Sequence, residues 1–216
     1  MSLQSVLRIA CIVALVLTAT PVAAQTVGVA IAPVVGYYRP FGDFRPASVY
    51  STALPEHPKD LQAASWGARA QLSFPNRIGI AIELLVTNSQ VPEVITPAGP
   101  RGPTGARVTV GAIQAQIDVS PHPRAYHFWL DAGPAIVHHG GDAYASLSAT
   151  SAVAGAAGGT LVIPLARHLQ VLATGEVLFY QMNIPMPSDL RLNPGSLERG
   201  TQRDALVHVG LAYSSF

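Results

Sequence analysis

Between Trp66 and Thr87 the chain reads WGARAQLSFPNRIGIAIELLVT, with bulky apolar residues trading places with small or polar ones on both sides of Pro75, Asn76 and Arg77. A period of two excludes an amphipathic helix, whose period is 3.6, and requires two strands joined by a three-residue turn. In the first arm Trp66, Ala68, Ala70, Leu72 and Phe74 share one face, and Gly67, Arg69, Gln71 and Ser73 share the other. In the second arm Ile78, Ile80, Ile82, Leu84 and Val86 oppose Gly79, Ala81, Glu83, Leu85 and Thr87. Pairing Phe74 with Ile78 across the turn sets Arg69 opposite Glu83 on the small, polar face, where the two form an ion pair.

Two architectures fit such a hairpin. In a water-soluble barrel the bulky row fills the core; in an outer-membrane barrel it meets lipid and the polar row lines the lumen. Composition bears on the choice. Charged residues make up 12% of the chain and apolar ones 49%, whereas a soluble domain carries about twice that charge. Past the first residues no apolar stretch reaches the ~20 residues of a spanning helix. High apolarity without membrane helices is what lipid-facing strands produce.

The first residues have the parts of a signal peptide: Arg8, an apolar run from Ile9 to Leu17, then Thr18 to Ala24 with two alanines before Gln25. We expect Sec-type export with cleavage after Ala24, leaving a signal peptide of 1–24 and a barrel domain of 25–216. The single cysteine, Cys11, lies in the leader ahead of most of the apolar run, which argues against lipidation. The mature chain then has no cysteine, which excludes disulfides, thiolate metal sites and a cysteine nucleophile. Removing Arg8 from the 13 basic residues leaves them balanced against 12 acidic ones. That balance gives no reason to expect nucleic acid as a partner.

Strands and connections then alternate along the chain. A strand from Val27 to Arg39 precedes a long loop, Pro40 to Ala63, and the hairpin follows. Asn88 to Gly105 is a second long loop, whose Gly99, Gly102 and Gly105 mark flexibility rather than a collagen repeat. Further strands are expected over Arg107 to Val119, Tyr126 to His138, Ser148 to Ile163, Leu169 to about Phe179, and Ala205 to Phe216. The strand from Ser148 is the least defined, because its alanines and glycines barely distinguish a face. Short turns at Ser120 to Arg124 and Pro164 to Arg167 alternate with long loops at His139 to Leu147 and Asn183 to Arg203. Eight strands with sorted connections predict an all-β, eight-stranded antiparallel up-and-down transmembrane β-barrel, short turns on one side and long loops on the other. Phe74, Tyr126, Phe128 and Trp129 beside short turns, and Tyr37, Tyr38, Trp66, Phe179 and Tyr180 beside long loops, are expected to form two interfacial belts.

The leader ending PVAAQ, the VVGYYRP close of the first strand, the alternating strands and the terminal HVGLAYSSF resemble the small outer-membrane β-barrel families of the OmpA and OmpX type, over essentially the whole mature length. The resemblance implies an outer-membrane location, outer-membrane lipid around the wall, and a last strand read by the barrel assembly machinery through Tyr213 and Phe216. Tyr213 stands an odd number of positions before Phe216, so the same-face spacing of such signals is broken here.

Facing the lumen, Arg69, Glu83, Gln114, Gln116, Asp118, Asp131, Gln170 and Glu176 are expected to form a polar network, with Gln71 and Thr174 beside them. An eight-stranded barrel is just wide enough for side chains to fill, so the network reads as a packed plug; a narrow ion or proton path is the sharper alternative. Four acids against one arginine leave carboxylates to be protonated, hydrated or met by His208. His138, His139 and Asp142 sit at the outer end of one strand, where adjacent imidazoles point to opposite faces and so make an interfacial pair without metal. His122, His127 and His168 decorate turns at the other end. No G-x-S-x-G, H-E-x-x-H, P-loop or His-x-Ser pair on a strand occurs, so neither catalytic residues nor a cofactor are expected. The function expected is a structural or surface-interaction role, the long loops taking a surface ligand. A soluble periplasmic or secreted lipocalin-like barrel around an apolar ligand, and an outer-membrane lipid-modifying enzyme, are the alternatives.

Overall fold

The computed structural model describes residues 27–41, 62–91, 94–96, 99–101, 104–121, 125–142, 150–185 and 197–215. The expected leader, most of the first long loop, His122 and Phe216 lie outside these residues.

Ten strands occur among them: β1 Gly28–Pro40, β2 Ala63–Ser73, β3 Ile78–Val91, β4 Val94–Thr96, β5 Gly99–Arg101, β6 Thr104–Asp118, β7 His127–Gly140, β8 Ser151–Ala166, β9 Leu169–Pro185 and β10 Leu197–Ser214. Eight of them close a barrel in the order β1-β10-β9-β8-β7-β6-β3-β2, with every pairing antiparallel. The seam joins β1 to β10, from Ala30 opposite Ser214 to Pro40 opposite Asp204. Closure leaves no unpaired edge, which a wall surrounded by hydrocarbon requires because lipid offers backbone groups no partner.

The opening hairpin has the register its turn dictates. The Phe74 amide donates to the Ile78 carbonyl at 2.9 Å, and Arg77 takes a positive φ of 60° to complete the three-residue loop. Arg69 then faces Glu83, and Leu72 faces Ile80.

Through the middle of the wall the barrel strands alternate, and the bulky row is outside. Ile31, Val35, Ile80, Leu84, Ile113, Ile117, Leu130, Ile136, Val153, Val207, Val209 and Leu211 are all exposed, while their neighbours on the other face are buried or half-buried. β8, whose faces the composition barely defines, turns Ala154, Ala156, Thr160 and Val162 inward by its pairing with β7 and β9.

Two features depart from expectation. The aromatic belts lose Tyr38, Trp129 and Tyr180, which are buried in the lumen while Tyr37, Phe128 and Phe179 face outward. Each pair is adjacent in sequence, so alternation lets only one member reach the outside. Secondly, the wall reaches further than the apolar pattern. β9 and β10 stay paired up to Pro185 opposite Leu197, within the stretch read as a loop from Asn183 to Arg203. The stretch read as a glycine-marked loop carries the separate β4–β5 ladder, Val94 opposite Arg101. Backbone pairing needs no hydrophobic alternation once the ladder has left the apolar zone, so periodicity underestimates strand length there.

Candidate functional site in the barrel lumen

The lumen is organised in layers, because each strand contributes an inward side chain at every second residue and the register stacks them. The central layer is a charged belt drawn from every barrel strand except β1. Arg69 from β2 is its hub. Nη1 donates to Glu83 Oε2 at 2.8 Å and to Gln114 Oε1 at 3.3 Å; Nη2 donates to Asp131 Oδ2 at 3.0 Å and to Thr160 Oγ1 at 3.0 Å. Asp131 also accepts from Gln116 Nε2 at 2.6 Å and from the Thr160 hydroxyl at 2.5 Å. Gln114 Nε2 donates to Glu176 Oε2 at 2.5 Å, and Thr160 lies 3.1 Å from the Thr174 hydroxyl. His208 Nε2 stands 2.9 Å from Glu83 Oε2. All these residues are buried. A charge removed from water is tolerable only with such partners, so the belt's bonds are a condition of its existence rather than a surplus of stability.

Beyond an apolar layer that includes Leu178 and Leu206 lies an outer belt of different chemistry. The hydroxyls of Tyr38 and Tyr180 both donate to Asp204 Oδ2, at 2.8 and 2.7 Å. The Tyr180 hydroxyl is 3.2 Å from His139 Nε2, and the two rings lie 5.8 Å apart. No lysine or arginine is buried in this layer among the described residues.

At the short-turn end the wall opens into a vestibule of about 680 Å³, lined among others by Gln71, Gln170, Arg77, Arg167 and Trp129. Asp118 sits on its rim. It accepts from the Ser120 backbone amide at 2.8 Å, from the Ser120 hydroxyl, and lies 2.7 Å from His127 Nδ1.

Of the eight residues expected in one network, Arg69, Glu83, Gln114, Gln116, Asp131 and Glu176 come together. Asp118 and half-buried Gln170 do not; they belong to the vestibule. His127 and His168 do more than decorate turns. One holds Asp118, and the other stands 3.0 Å from the Ser214 carbonyl and stacks on Tyr213. Tyr213 itself is 66% exposed on the outer wall. The adjacent histidines separate as alternation demands: His139 enters the lumen, whereas His138 stays outside with Nδ1 2.9 Å from Ser151 Oγ. That His–Ser contact is cross-strand and therefore invisible to a search for His-x-Ser on one strand. Asp142 joins neither imidazole and borders an outer opening with Asn88 and Arg107. One group of metal-compatible donors occurs among the described residues, Glu83, Glu176 and His208, with ligand atoms within 4.8 Å of one another.

The fold has counterparts among solved structures. The chain is similar to the outer membrane protein OprG from Pseudomonas aeruginosa, with 14% identity and a TM-score of 0.54 over 88% of this chain and 96% of that one. It is also similar to Neisserial surface protein A, with 9% identity and a TM-score of 0.50 over 88% and 99% of the two chains. At these identities the likeness is one of fold. No family model and no curated relative matches the sequence.

Proposed function

We propose that the chain is an outer-membrane barrel protein with a structural or surface-interaction role, exported with removal of residues 1–24, with its long connections facing outward and a lumen closed by side chains. The observation that carries this reading is the outer wall. Its exposed rows of Ile, Val and Leu suit hydrocarbon and would be insoluble in the periplasm, and a lipocalin-like carrier would turn those rows inward. The charged belt supports a plug, because its hydrogen bonds cross the lumen from β2 to β7 and β8. Outer-membrane lipid and the barrel assembly machinery are the partners this reading entails, with Tyr213 and Phe216 as the assembly signal. The long connections are the surface left for a ligand.

Membrane fractionation combined with gel migration before and after boiling tests the reading. The protein is expected in the outer-membrane fraction, migrating faster unboiled. Recovery in the detergent-free periplasmic fraction would refute it. The role proposed is non-enzymatic, yet the outward contact of His138 with Ser151 favours one second reading, a lipid-modifying hydrolase on the wall. Among the described residues no carboxylate lies within salt-bridge distance of His138, so none of these supplies the orienting acid of a catalytic triad. A change in lipid A mass on expression that is lost in Ser151→Ala would establish this second reading; an unchanged mass would dismiss it.

A further inference from the structure

We propose that Glu83, Glu176 and His208 form a buried site for one divalent transition-metal cation of the zinc type. The three come from β3, β9 and β10, and no spacing in the sequence announces them. Topology makes the site. Thr174 pairs with His208 and Glu176 with Leu206, so Glu176 and His208 are diagonal neighbours on one wall, and Glu83 reaches them from the wall across the lumen.

Three observations point to a cation. With both carboxylates ionised, Glu83 Oε1, Glu176 Oε1 and both imidazole nitrogens of His208 are buried without a hydrogen-bond partner, although Nε2 lies 2.9 Å from Glu83 Oε2. The other oxygen of each carboxylate is already held, Glu83 Oε2 by Arg69 and Glu176 Oε2 by Gln114. Metal-binding carboxylates are held by hydrogen bonds of this kind, and Glu83 Oε2 also faces the group, 2.9 Å from His208 Nε2. Charge is the third. Arg69 is the one buried lysine or arginine among the described residues, against Glu83, Asp131 and Glu176 in the same belt. Counting all three as carboxylates and His208 as neutral, the belt would carry two excess negative charges, which a divalent ion would cancel.

Two carboxylates and an imidazole suit zinc better than calcium or magnesium, which prefer all-oxygen shells. Tetrahedral zinc spreads its ligands ~3.3 Å apart, so donor atoms now within 4.8 Å of one another would close by up to about 1.5 Å. Three protein ligands leave a fourth place for water. The ion would tie β3 to the β9–β10 hairpin across the lumen. This goes beyond the outer-membrane reading and does not depend on it, because a lumen site binds in micelles wherever the barrel resides.

The competing state carries protons in place of the metal, and one experiment separates them. The chain is refolded from urea into detergent micelles with zinc, desalted, and assayed for metal by mass spectrometry, with folding verified by heat-modifiable migration. The expected result is one zinc per folded chain, retained against a chelator until the barrel is unfolded. Zinc content should fall at least tenfold in Glu176→Gln and His208→Gln and stay unchanged in His138→Gln, which alters an outer-wall histidine. A folded barrel without zinc, or one that loses zinc in His138→Gln and keeps it in His208→Gln, would overturn the proposal. Should the lumen variants fail to fold, zinc-edge X-ray absorption of the unaltered barrel decides. A shell with a single imidazole and oxygen ligands supports the site, and a shell of several imidazoles refutes it.

Discussion

The two polar layers of the lumen solve the same problem with opposite chemistry. The central belt buries Arg69 and balances it with Glu83 and Asp131, so each charge depends on another charge. The outer belt buries Asp204 and meets it with the phenols of Tyr38 and Tyr180. A charged hub cannot be removed without stranding its partners, whereas a carboxylate held by neutral hydroxyls loses only hydrogen bonds. The first layer is therefore rigidly specified, and the second tolerates change.

The largest expected effect follows from that difference. Arg69→Met should cost about 3 to 5 kcal/mol in urea unfolding from lipid vesicles, because Glu83 and Asp131 are left buried and unpaired. Adding Glu83→Gln and Asp131→Asn to it should recover most of the loss, since the two carboxylates that pair with Arg69 are then neutral. A triple variant no more stable than the single would break the comparison. Next comes the wall that encloses both belts. Ile80→Arg should cost roughly 2 to 4 kcal/mol, the penalty of a cation in hydrocarbon, measured by the same unfolding. In the outer belt Tyr180→Phe should cost about 2 kcal/mol, chiefly for the lost hydrogen bond to the Asp204 carboxylate. Smallest is Asp204→Asn, at about 1 kcal/mol or less, because the amide oxygen still accepts from both phenols. If Asp204→Asn proved as damaging as Arg69→Met, the two layers would not differ in kind.

The same contrast explains what the sequence made legible. Parity identified the lumen face, so Arg69, Glu83, Gln114, Gln116, Asp131 and Glu176 were readable as polar interruptions on inward positions. Parity says nothing of depth. Asp118 shares a face with Gln114 on β6 but stands four residues along, ~13 Å at the usual strand rise, and falls in the vestibule instead of the belt. The outer belt was hidden for another reason. Tyr38 and Tyr180 look like interfacial aromatics until one notes that Tyr37 and Phe179 already occupy the outward positions beside them. Asp204 fell between the stretch read as loop, Asn183 to Arg203, and the strand read from Ala205, because an extended ladder beyond the apolar band leaves no hydrophobic period to find. Contacts between strands, such as His138 with Ser151 or Glu83 with His208, depend on register around the barrel and have no local signature.

The claim on which everything rests is that bulky residues face lipid and the other face points into the lumen. The chain's two tryptophans report it directly, since Trp66 is 57% exposed on the outer wall and Trp129 is 5% exposed inside. In vesicles whose acyl chains are brominated near the headgroup end, fluorescence of the Trp129→Phe variant, which retains Trp66, should be strongly quenched. Fluorescence of the Trp66→Phe variant, which retains Trp129, should be almost unaffected. Quenching of Trp129 with Trp66 spared would contradict the account and turn the barrel inside out.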